Sequence, residues 1–272
     1  MKQICCIIIL SLSIGQPGWA VEPSGRGPTT WAVIVSGINK DPEEIQMKGQ
    51  AVHRLQKLFK QKMAIPKSNI YTLLARDSFA WQPGTLESTS DNILKILGTL
   101  SDSVSPQDTL IFYYTGQANI VKDKLRLNLP GPDLCHDALA ESLNAIKAKH
   151  SLVVLDSPAS GFAVQSLTRH NRILIMGAHV NQPWSTRLSY YFVPAMGDKR
   201  SDYNKDGQIS VLEAFRYAVM QLDDYYRQRD LIKTENPLLE DDGDAVASQQ
   251  PWTWQQENKD GQFASEWIIW EK

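Results

Sequence analysis

Oxygen-bearing side chains recur at alternate positions in DYNKDGQISVLE, residues 202–213. Asp202, Asn204 and Asp206 are followed by Gly207, Gln208, Ser210 and Glu213. Carboxylates and amides in alternation, closed by a glutamate, suit a hard cation that takes roughly six to eight oxygens. Gly207 gives the backbone the freedom for a sharp turn at the sixth position. Gln208 offers its carbonyl at the seventh, Ser210 lies at the ninth, and Glu213 can bind through both oxygens at the twelfth. The bland reading is a turn at Asp206-Gly207 followed by a helix, since Ser210 and Glu213 have capping-box spacing. A cap alone does not require Asp202, Asn204 and Asp206. The expectation is therefore a calcium ion held by Asp202, Asn204, Asp206, Gln208 and Glu213.

A second place is built as if for catalysis but lacks the residues for it. In FYYTGQAN an aromatic strand runs into a Thr-Gly turn that presents Gln117, which neither takes up nor releases a proton near neutral pH. In VVLDSPASG another strand ends at Asp156 and leads to Pro158, which has no nucleophile and no backbone N–H. Substitutes nearby are Ser157 or Ser160 with His179 and Asp156, but no G-x-S-x-G elbow is present. Asp156 reads more simply as a strand-end residue capping the next turn. Cys135-His136 is an adjacent pair whose side chains should point apart at a helix start, which makes Cys135 a small core residue. His53, His150 and His170 read as surface or satisfied structural residues.

The elements that would position these groups alternate. Buried strands are expected at 29–37, 69–75, 108–116, 151–156 and 172–178, with a short hairpin strand at 124–129. Helices are expected at 43–63, 90–104 and 134–150, with apolar helical flanks at 188–196 and 211–222 on either side of the loop. Near-continuous apolar strands alternating with helices predict an α/β fold, a mostly parallel sheet covered on both faces. Ligands of such sheets lie beyond the carboxyl ends of the strands, here SGIN, TGQAN and DSPASG.

The order of elements, with Tyr113, Tyr114, Thr115 and Gly116 before Gln117 and with Leu155, Asp156, Ser160 and Gly161 around Pro158, resembles the caspase-like cysteine peptidases. It looks closest to bacterial relatives of the legumain (C13) branch. The resemblance covers roughly residues 30–245 and implies an α/β/α sandwich. It also implies that a catalytic histidine belongs where Gln117 stands, and a catalytic cysteine where Pro158 stands. The glycine whose amide would serve the oxyanion hole is Ala118. Thiolate, imidazole and one oxyanion donor are thus all replaced. Loop 202–213 matches the EF-hand pattern at every ligating position, and a similar D-x-N-x-D-G segment recurs at this place in the bacterial relatives. The loop is single, whereas EF-hands usually pair.

Composition bounds the rest. The chain has 272 residues and a net charge of −2, which gives no broad basic surface for nucleic acid. Lys2, the apolar run 4–14 and Gly18-Trp19-Ala20 read as an export signal over residues 1–20, too short to span a bilayer, with a linker at 21–28. Export would remove Cys5 and Cys6 and leave Cys135 alone, without a disulfide. The domain is expected at 29–245, followed by a Trp-rich extension at 246–272. There SEWIIW reads as a closing edge strand, and the tryptophans read as core packing rather than a sugar platform. The acids of PLLEDDGD (237–244) read as a solvated loop, with a second ion as the alternative.

These observations predict an exported, periplasmic or secreted, proteolytically inactive protein. It would bind calcium and an unidentified protein or peptide partner, with no membrane span after signal cleavage. The alternative is an active hydrolase that uses non-standard residues.

Overall fold

The computed structural model describes residues 27–82, 84–253 and 259–271. The export signal at 1–20, linker residues 21–26 and Trp254 lie outside the described residues.

The chain begins with β1 (Thr30–Ser36), α1 (Pro42–Gln61), β2 (Ile70–Leu74), β3 (Leu86–Glu87) and α2 (Ser90–Ser103). It continues through β4 (Thr109–Thr115), β5 (Ala118–Ile120), β6 (Leu125–Leu127), β7 (Leu134–Cys135), α3 (His136–Ala145) and β8 (His150–Asp156). Then come α4 (Val164–Leu167), β9 (Arg172–Met176), α5 (Leu188–Ala195), β10 (Gln208–Ser210) and α6 (Val211–Gln228). The last elements are β11 (Leu238–Glu240), α7 (Gln262–Glu266) and β12 (Ile268–Glu271).

A seven-stranded sheet has the order β11-β9-β8-β4-β1-β2-β3. All neighbours are parallel except β11, which closes one edge antiparallel to β9. Strand β1 shows why both faces are covered. Ala32 and Ile34 join a core with Val52 and Leu55 of α1, Phe192 of α5 and Phe215 of α6. Val33 and Val35 join the opposite core with Leu97 of α2, Leu143 of α3 and Leu167 of α4. A strand with two apolar faces is stable only when helices cover both.

Local signals explain the helix starts. The Asp41 side chain accepts from Glu44 N at 2.9 Å and Pro42 fills the first turn of α1. Thr89 caps α2, its side chain accepting from Asn92 N at 3.2 Å. Helix α3 stops at Ala145, short of the expected 150, and the chain re-enters the sheet at His150. His150 is therefore a strand residue, half-buried against Phe263 and Trp267.

Of SEWIIW, only Ile268 to Trp270 lie in a strand, and it is not at the edge of the main sheet, whereas Ser265 and Glu266 end α7. β12 pairs antiparallel with β10, and the bond from Val211 N to Trp267 O at 2.9 Å continues the contact. Trp252, Trp267 and Trp270 pack against the core that α1, α5 and α6 share. Among the described residues, no helix is long and apolar enough to cross a membrane.

Candidate functional site

Parallel register brings the ends of β1, β4 and β8 together. Ser36 pairs with Thr115, and Thr115 with Asp156, so Gln117 and Pro158 each follow by two residues at the same end of the sheet. The backbone there is packed tightly. A Cβ on Gly37 would lie 2.3 Å from the Tyr114 hydroxyl, and one on Gly116 would lie 2.7 Å from it. That hydroxyl donates to Gln117 O at 2.7 Å, which fixes the turn after β4.

Gln117 is 3% exposed and does not present itself to solvent. Its Nε2 donates to Glu44 Oε2 and to Ser185 Oγ, both at 2.7 Å. Pro158 is buried, and Ala159 after it adopts a left-handed φ of 51°. Asp156 does not cap the next turn: its bonds run to β4 and α5. Fully buried, it takes the Thr115 hydroxyl at 3.0 Å and the Ser189 amide at 3.1 Å on Oδ2, tying β8 to β4 and α5.

The substitute triad is not assembled. His179 Nδ1 lies 2.8 Å from Asn181 Oδ1. Ser160 Oγ instead meets the backbone of Ala178, and Ser157 is fully buried. Cys135 departs from the core reading. It is the half-buried N-cap of α3, and its Sγ lies 3.6 Å from His136 Nδ1. Its extended backbone removes the helical geometry that would have separated the two side chains. Asp137, the third member of that cluster, is ion-paired with Lys124.

Three charged residues near the crevice escaped the sequence reading. Lys48 is 1% exposed and donates to Gly116 O at 3.1 Å. Glu44 holds Gln117. Glu235 is fully buried, accepting from Arg187 N at 2.7 Å on Oε2 and from the Tyr226 hydroxyl at 3.0 Å on Oε1. Burial pushes the Glu235 carboxyl up to about 7, and Asp156 adds to the effect. Glu44 and Lys48 continue the helical stripe of Val52, Leu55 and Phe59, which was the available signal. Glu235 sits in a stretch without periodicity. Beside this network lies a cavity of about 420 Å³ lined by Glu43, Glu44, Trp184, Arg187, Tyr226 and Ile232.

Loop 202–213 brings its residues into a compact turn. Gly207 has a φ of 87° and its amide donates to Asp202 Oδ2 at 3.1 Å. Asn204 Oδ1 accepts from Asp206 N, and Asp206 Oδ1 from Gln208 N, at 2.9 and 2.7 Å. Glu213 Oε2 closes the capping box with Ser210, while Oε1 accepts from the Tyr203 and Asn204 amides. Asp202 Oδ1 is buried without a hydrogen-bond partner. The donor set, oxygen throughout, fits a hard cation. The carboxylates of Asp202, Asp206 and Glu213 are not among the groups whose ligand atoms all lie within 4.8 Å of one another. Each Glu213 oxygen thus accepts two hydrogen bonds. Strand β10, which covers Gln208–Ser210 of this loop, pairs antiparallel with β12.

No protein-family model matches the chain, and no curated protein matches it.

Proposed function

We propose that this chain is a non-catalytic protein of caspase-like architecture, which binds calcium at loop 202–213 and a peptide or protein partner at the crevice. The observation that carries this reading is the pair of strand ends. Gln117 is locked to Glu44 and Ser185, and Pro158 is buried, so neither position offers a thiolate or an imidazole. The mostly parallel sheet, with both ends in register, is compatible with the resemblance.

Calcium would be held by Asp202, Asn204, Asp206 and Glu213, with Gln208 contributing its carbonyl. The partnerless Asp202 Oδ1 supports this assignment. The chain's own part is to pre-form the turn through Gly207 and to anchor it through β10 and β12. The cavity beside Gln117 is the surface available to a partner, with Trp184 and Ile232 exposed at its mouth.

The test is labelling with thiol- and serine-directed activity probes, alongside crosslinking to an immobilised peptide library with and without calcium. No labelling and peptide capture blocked by Trp184→Ala support the reading. Labelling that is lost on His179→Ala replaces it with an active hydrolase.

A further inference from the structure

The acidic stretch after β11 is not a solvated loop. Glu240 is fully buried, Asp241 is 5% exposed and Asp260 is 1% exposed. Glu240, Asp242 and Asp260 each place a ligand oxygen within 4.8 Å of the others. Such clusters are common without an ion, but this one contains an orphan. Glu240 Oε1 accepts from Gly243 N at 2.7 Å, whereas Glu240 Oε2 is buried with no hydrogen-bond partner. The Thr168 hydroxyl reaches Glu240 as well, but it has a competing acceptor in Val164 O at 2.9 Å. The Arg172 guanidinium feels the Glu240 charge, yet its donors go to Ser151, Asn144 and the carbonyls of Leu143 and Leu167. Glu240 and Asp242 have no ion pair among the described residues.

A buried carboxylate oxygen without a donor costs folding free energy unless it is protonated or ligated. Asp242 accepts from Asp244 N and Lys259 N, and Asp260 from Asp241 N. Three carboxylates, with no sulfur or nitrogen in the group, favour a hard cation over zinc or copper.

We propose that Glu240, Asp242 and Asp260 form a second calcium site, separate from loop 202–213, which fastens the carboxyl-terminal segment to edge strand β11. The segment is already positioned for it. Asp241 holds Gly261 N at 2.7 Å and Ala264 N at 2.6 Å, so Asp260 is brought to β11 before any ion arrives. The ion would therefore tie the sheet edge to the segment that leads into β12.

The experiment counts bound calcium by equilibrium dialysis of the full chain at about 1 mM free ion, a level that fills sites of extracellular type. Wild type should bind two ions, and Glu240→Gln one. Asp202→Ala with Glu213→Gln should bind one, and the combined variant none. Asp242→Asn, at a half-buried position, repeats the Glu240 test without altering the core. If Glu240→Gln and Asp242→Asn bind as many ions as wild type, the second site does not exist. If only loop 202–213 fails, wild type binds one ion, kept by the loop variant and lost from Glu240→Gln.

Discussion

Gln117 Nε2 stands 2.7 Å from Glu44 Oε2, joining the end of the central strand β4 to the first turn of α1. This bond ties the sheet end to the helix. Gln117→Ala should leave the Glu44 carboxylate, 7% exposed, short of a donor. The cost should be about 1.5–3 kcal/mol, the usual worth of a hydrogen bond to a charged group. Urea denaturation measures it, and Gln117→Glu should cost more by setting two carboxylates together.

Glu235 should make the fold less stable as pH rises. Its folded pKa, about 7, exceeds the ordinary glutamate value of 4.5, so the native state holds the extra proton between them. Its contribution is full below about 4.5 and is lost as pH rises through about 7, on the order of 3 kcal/mol in all. Glu240 and Asp241 are shifted the same way and add to the slope. Thermal melts between pH 5 and 8 should therefore fall in wild type and flatten in Glu235→Gln.

Calcium should raise the melting temperature through loop 202–213. At ten times the dissociation constant, one site adds about 1.4 kcal/mol by mass action. That corresponds to roughly 3–5 °C for a domain of this size. Asp202→Ala with Glu213→Gln should remove this site's share of the shift. The share from Glu240 should disappear separately in Glu240→Gln.

Removing β12 should weaken the calcium loop without touching a ligand. β10 forms its ladder with β12, and Ile269 is 6% exposed in the shared core. Ile269→Ala should cost about 2–4 kcal/mol through lost burial and a cavity. Ending the chain after Gly261 should raise the loop's calcium dissociation constant about tenfold, as read by calorimetry at 25 °C.

The main sheet was legible because its strands are short, apolar and bounded by Gly or polar residues. The carboxyl ends that form the crevice followed from parallel topology alone. What could not be read was tertiary. Lys48 and Glu44 look like ordinary charges on a helix until the sheet end closes over them. The partner of β12 depends on which strand lacks a neighbour, and period-two patterning carries no such information. PLLEDDGD looks solvated by composition, and only its fold against residues 259–264 buries Glu240 and Asp241. Cys135 has extended backbone just before α3, so helical spacing does not describe where its side chain lies.

The measurement that bears most directly on the central claim is peptide hydrolysis by the purified chain. Substrates should carry Asn, Asp, Arg or Lys before the scissile bond, with and without millimolar calcium. With Gln117 tied to Glu44 and Pro158 buried, no turnover is predicted under either condition. Turnover that survives purification and disappears in His179→Ala or Ser160→Ala would contradict the account.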